Sequence, residues 1–464
     1  MPEETLKNLK ETNERGKVKM RKMFKNKSGI TLIALVVTIV VLLILAGVSI
    51  SLLLDQNGII KKSKDARREY GQAKANEQEQ MDNAEDWIDE AVTGKKSNVV
   101  KSFKEAKTEN STIDGKKEGN ANNPTIPAGY IPINTETSNW GNGKDAPSQD
   151  SVNHGLVIKD EQNNEWVWVP VPDVTVMCDT SNQTEYTLCG TTGETAVKTK
   201  LYSKTITIGK DSNTKELTRT TPGTSASDSY REPDLVVDDN GASDDAKEYK
   251  TILGKTGTKE QLAQLFVDEY KAMIESVSKY GGFYIGRYEL SKAGVQKDKE
   301  TLVYTNWYNL YKKCTELQAS DKVKTQMIWG CQWDVTMNWL ISSGTKTREE
   351  VIQNSSTWGN YRNYNTANSY TEGTEGYEKS AGSKQNTGSS ENWKANNIYD
   401  LAGNCWEWTQ EALNTCNRAS RGGDYGVYGS FYPASLRYNS GPSSSGYDGG
   451  GRFSSHFNNK VGRV

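Results

Sequence analysis

Hydrophobic positions are spread very unevenly along this chain. Residues 30–54, ITLIALVVTIVVLLILAGVSISLLL, are 25 consecutive positions without a charge, long enough to cross a bilayer as a helix. Residues 55–93 turn polar. Ala, Lys, Glu, Gln and Arg dominate, with Ile59, Ile60, Trp87, Ile88 and Val92 as sparse apolar positions. That composition predicts a helical stalk, broken from the apolar run at Asn57-Gly58. Residues 94–125 carry Lys, Asn, Gly, Ser and Glu without period and read as a flexible linker.

From about residue 126 the pattern becomes that of a folded domain extending to 464. Trp and Val alternate over Asn164–Val171 and stop at Pro170, which predicts a strand. Leu262, Leu265, Phe266, Tyr270 and Met273 recur at helical spacing within 258–279. GGFYIGRYEL, residues 281–290, reads as a strand, and MIWGCQWDVTMNWL, residues 327–340, as a helical region. Between these, residues 175–255 are rich in Thr, Ser, Asp and Lys and read as a polar insertion with short strands such as KTITI. Residues 355–396 read as a polar loop.

Composition narrows the chemistry. Hydrophobic content is 34 % and formal net charge −2, so there is no general nucleic-acid footprint. The only histidines are His154 and His456, which argues against a His-based triad or multi-His metal centre. The six cysteines, Cys178, Cys189, Cys314, Cys331, Cys405 and Cys416, all follow the apolar run, and none forms a CxxC pair. Cys178 and Cys189 are near enough in sequence to pair outside the cell; isolated buried thiols are the alternative. Arg21, Lys22, Lys25 and Lys27 precede the apolar run and place the N-terminus in the cytoplasm. The far side is also basic (Lys61, Lys62, Lys64, Arg67, Arg68), so the asymmetry is modest.

The C-terminal window differs from everything before it. From Asp424 to Asn459, Tyr, Ser, Gly and Asn dominate, and Lys, Glu, Gln, Met and Trp are absent. Rigid aromatics among small polar residues is the composition of antibody binding loops. The five missing types are those that no codon ending in C or T encodes, which points to NNC or NNT codons. A Gly/Ser-rich loop without that history is the bland alternative. The candidate ligand-binding residues are Asp424, Val427, Tyr428, Phe431, Tyr432, Leu436, Tyr438, Ser444, Gly446, Tyr447 and Asp448.

Two resemblances carry further expectations. The junction KSG-ITLIALVV resembles a type IV prepilin leader, which implies cleavage by a prepilin peptidase after Gly29 and a mature start at Ile30. Ala34 stands where that family has Glu, which puts polymerisation in doubt. NIYDLAGNCWEW, residues 397–408, resembles the LYDMxGNVWEW signature of the formylglycine-generating (sulfatase-modifying) enzymes, a family with a C-type-lectin-like fold. Arg421, Gly422 and Gly423 match its RGG; Arg437 and Gly451-Arg452-Phe453 fall at its later Arg and GFR. The register of the enzyme's cysteine pair falls on Val427 and Tyr432, and no Cys follows Cys416, so the resemblance implies a non-enzyme. The resemblance also makes Asn404 and Glu407 candidate calcium ligands, and oxygen donors suit that ion. Glu407 pairing with an Arg or with backbone amides is the alternative. The variable proteins of diversity-generating retroelements use the same fold and randomise AAC codons.

The sequence thus predicts an α+β protein: a leader (1–29), a transmembrane helix (30–54), a stalk, a linker and a C-type-lectin-like domain. Its variable ligand-binding region lies at about 424–453. The expected function is non-catalytic ligand binding at the cell surface, with a variable protein or cell-surface ligand as partner and no nucleic acid. The alternatives are a pilin or pseudopilin subunit with a fixed adhesive domain, and, against the missing cysteines, an oxidase.

Overall fold

The Trp/Val alternation at 164–171 and the apolar period of 258–279 become a strand and a helix that pack together. The structure is a computed structural model. It describes residues 110, 112, 119–133, 154–178, 183–188, 196–202, 204–210, 216–221, 230–237, 242–317, 323–413, 415–444 and 460–462. All fall within one compact unit, Gln72–Val464.

The first sheet contains β1 (Tyr130–Ile133), β2 (Val157–Asp160), β3 (Glu165–Pro170) and, after two hairpins described below, β8 (Gly282–Gly286), in that spatial order and antiparallel throughout. Trp166, Val167, Trp168 and Val169 are all buried, so β3 has a covered layer on each face. Helix α1 (Glu248–Leu253) precedes α2 (Lys259–Tyr280). α2 begins with a capping box: Thr258 and Gln261 exchange side-chain-to-backbone bonds of 3.0 and 3.3 Å. It ends at Gly281, whose φ of 75° is the left-handed stop that glycine supplies. Leu262, Phe266, Tyr270, Met273 and Val277 form its buried stripe.

The second sheet has order β13-β12-β11-β14, with β11 Trp406–Ala412, β12 Arg418–Arg421, β13 Tyr438–Ser440 and β14 Lys460–Gly462. The β11–β14 pairing is parallel; the others are antiparallel. A short ribbon, β9 (Lys394–Ala395) with β10 (Ile398–Tyr399), leads into it. Helices α3 (Trp307–Thr315), α4 (Gly330–Ser342), α5 (Arg348–Ile352) and α6 (Tyr364–Ala367) fill the intervening chain. The first two-thirds of the insertion holds two hairpins: β4 (Gln183–Thr187) with β5 (Lys198–Tyr202), and β6 (Lys204–Lys210) with β7 (Glu216–Thr221).

Several expectations change. The fold class was expected to open with a long transmembrane and stalk helix ahead of a C-type-lectin-like domain. The described residues instead form a mixed α/β arrangement of small sheets with six α-helices. Among them no helix is long and apolar enough to cross a membrane. The longest, α2, is 22 residues and carries Lys, Glu and Asp along its solvent side. The apolar run 30–54, the stalk 55–93, and Gly29 and Ile30 lie outside the described residues. The insertion 175–255 is not peripheral throughout, because Tyr230, Arg231, Glu232 and Asp234 are buried. The loop 355–396 also buries Trp358, Tyr361, Tyr364 and Trp393. Aromatic rings every few residues give that loop a core of its own, which its polar composition concealed.

Candidate functional site

The two sequence signatures, far apart in the chain, meet in space. Glu289, just beyond β8, is fully buried. Its carboxylate accepts from Asn404 Nδ2 at 2.6 Å, Thr301 Oγ1 at 3.2 Å and the Cys405 backbone N–H at 3.0 Å. Asn404 has φ 57°, a conformation that Asn tolerates better than most residues. The latched turn aims β11 inward, and all seven of its residues are buried.

β11 and β12 supply a buried ionic frame. Arg421 Nη2 donates to Asp334 Oδ1 at 2.8 Å, Arg437 donates to the other Asp334 oxygen, and Arg437 Nε donates to Glu411 Oε2 at 2.9 Å. All four side chains are essentially inaccessible. Two cations face two anions, so the frame is neutral, and this is the condition under which buried charges persist. Burial pushes Glu411 up and Arg421 down, each toward its neutral form; the opposite charges beside them resist this. Nearby, Arg418 bonds Glu248 at 2.6 Å, and Glu232 accepts from the Gly330 and Cys331 N–H groups that open α4, each at 2.8 Å.

On this frame the chain after β12 makes a tightly bonded loop. Gly423 has φ 78°, and a Cβ there would sit 2.7 Å from Tyr361 and 2.8 Å from the Tyr432 carbonyl. Only glycine meets both constraints. Asp424 Oδ1 accepts from Gly426 N at 2.7 Å, Arg362 N donates to Val427 O at 3.0 Å, and Tyr432 N donates to Tyr428 O at 3.0 Å. Trp333 Nε1 and Arg421 Nη2 hold the carbonyls of Ala434 and Ser435 at 3.1 and 3.0 Å.

The loop presents aromatic rings outward. Tyr428 is 41 % exposed and Phe431 60 %, and their rings meet edge-on with centroids 6.2 Å apart. The Arg362 guanidinium lies 5.6 Å from the Tyr428 ring centre. Tyr432 and Tyr438 are half-buried against Trp406, at 5.6 and 5.3 Å. Trp406 is thus the floor of the patch.

The expected ligand-binding residues divide. Tyr428 and Phe431 are exposed, as is Ser444; Val427, Tyr432 and Tyr438 are half-buried. Asp424 and Leu436 are fully buried and belong to the scaffold: Asp424 turns the loop, and Leu436 lies in a stretch pinned by Trp333 and Arg421. Gly446, Tyr447 and Asp448 lie outside the described residues, as does Cys189.

For calcium, the donor set decides. Asn404 Oδ1 already accepts from Asn360 Nδ2 at 2.9 Å and Gln385 N at 3.0 Å, so its lone pairs are engaged. Glu407 is fully buried within β11, in register with Arg421. Among the described residues no group of three His, Cys, Asp or Glu side chains converges on one point. As placed, Asn404 therefore offers no free side-chain oxygen to a calcium ion.

Sequence reasoning missed Asp334, Glu411, Arg418, Glu232 and Arg362. A signal existed for one of them, since Asp334 is the only charged residue in the largely apolar stretch 327–340. Compared with family models, curated proteins and solved structures, the chain matches none.

Proposed function

We propose that this protein is a non-catalytic ligand-binding protein whose recognition surface is the aromatic face built by residues 427–444. The observation that carries this is the division within one short segment. Phe431 and Tyr428 are large, apolar and exposed, while Asp424, Leu436 and Arg437 beside them are fully buried in a fixed frame. Exposed aromatics on a rigid base suit recognition, because little side-chain freedom is lost on contact. An adjacent Arg adds to this, since Tyr and Arg dominate binding hot spots. The enzyme reading is not favoured, because the chain has no Cys after Cys416.

The absence of Lys, Glu, Gln, Met and Trp from 424–459 supports diversification of this face by a retroelement. The experiment is to sequence the DNA flanking the gene. A near-copy of the window should lie beside a reverse transcriptase and carry AAC or AAT at Val427, Tyr428, Phe431, Leu436 and Tyr447. Its differences from the coding copy should fall only at adenines. No template copy, or differences scattered over all four bases, would overturn diversification and leave a fixed binding face.

Display from a membrane belongs to the same reading. It rests on the uncharged run 30–54, with cleavage after Gly29 by a prepilin peptidase. The mass of the native N-terminus tests it: a start at Ile30 in the membrane fraction is expected, and an intact Met1 end there overturns the processing step.

A further inference from the structure

A cavity of about 330 Å³ lies between α2 and the first sheet, and it shares no lining residue with the aromatic face. It opens to solvent on the side of Ser276 and Lys324, which are exposed. The cavity has room for on the order of ten waters, and it falls within the range of small-molecule sites. Aliphatic side chains share its walls with six aromatic ones: Tyr130, Trp166 and Trp168 from the sheet, Tyr280 from the end of α2, and Phe283 and Tyr284 from β8.

Two charged side chains line it, Glu269 and Lys324. Glu269, on α2, is 4 % exposed and accepts from Tyr311 Oη at 2.9 Å. Lys324 is 57 % exposed, and its Nζ stands 3.6 Å from the Glu269 carboxylate. The anion is therefore fixed and buried, whereas its cation is solvated and loosely held. Two further lining residues, Trp166 and Thr325, each carry a polar atom, Nε1 and Oγ1, that is buried without a hydrogen-bond partner.

We propose that this cavity binds a small organic ammonium, with its charged end on Glu269 and its hydrocarbon body among the rings. The aromatic faces attract a cation. The buried carboxylate needs a better counter-charge than a half-solvated lysine at 3.6 Å. Lys324 gives up little on displacement, because its ammonium returns to water.

The test uses the full-length chain, the probe 2-phenylethylammonium, and two matched controls, neutral 2-phenylethanol and anionic 3-phenylpropionate. Calorimetry and tryptophan fluorescence should show saturable binding of the ammonium at least tenfold tighter than either control. Glu269→Gln should weaken it at least tenfold. Ser276→Trp changes an exposed position on the lining of the cavity, so it should obstruct the site while thermal unfolding stays unchanged. Tighter binding of the propionate, equal binding of the alcohol, indifference to Glu269→Gln, or no binding by the folded protein would each overturn the proposal.

Discussion

At the scale of single residues, the C-terminal window contains side chains of opposite character only a few positions apart. Phe431 projects into solvent, and Arg437 lies fully buried between Asp334 and Glu411. Arg437→Met would leave both carboxylates short of a counter-charge. It is expected to cost about 3–5 kcal/mol, the usual penalty for breaking a buried pair. Phe431→Ser is expected to change stability by no more than about 0.5 kcal/mol. Urea unfolding of the two variants checks both figures. Equal losses would place Phe431 in the core and remove the basis of the recognition surface. Gly423→Ala belongs to the same scale. Its φ of 78° and the contact with Tyr361 oppose a Cβ, so a loss of at least about 1 kcal/mol is expected.

At the scale of elements, α2 both covers the first sheet and brings a carboxylate to its inner side. Burial raises the Glu269 pKa above 4.5, outweighing Lys324 and Tyr311, which lower it. A carboxyl raised by folding favours the native state most below its unfolded pKa, and that advantage is lost as pH rises through the folded value. Wild type should therefore lose stability relative to Glu269→Gln between pH 4.5 and neutrality. Paired urea midpoints at the two pH values measure this; parallel curves would mean that Glu269 keeps an ordinary pKa. α4 makes a comparable case at its first turn. Glu232 takes the N–H groups of Gly330 and Cys331, so the chain returning from the insertion finishes a helix about a hundred residues away.

At the scale of the whole molecule, the insertion is divided between dispensable and structural parts. β6 and β7 pair with each other, and Lys204 stands opposite Thr221. Replacing 204–221 by a short Gly/Ser link therefore closes a gap whose ends are already neighbours, at little loop-closure cost. The shortened protein is expected to keep a single cooperative thermal transition by circular dichroism. Extending the deletion through 237 removes Arg231, Glu232 and Asp234 from the interior and is expected to abolish that transition. If the longer deletion melts like the shorter one, the buried residues at 231–234 are not part of the frame.

Sequence by itself determined the features that short-range signals encode. The period of 258–279 gave α2 almost to its ends, and alternation gave β3. These depend on neighbours within a turn or a strand. Only the tertiary structure decided which residues of the Tyr/Ser/Gly window face outward. Such a loop has no period, so burial is set by what packs over it. Leu436 and Asp424 are covered, Phe431 and Tyr428 are not, and nothing in their local sequence separates the two pairs. The ionic frame was equally hidden, since Arg421 reaches back 87 residues to Asp334 and Arg437 reaches back 103. A buried charge requires a partner, but the sequence does not say which one the fold will bring within reach.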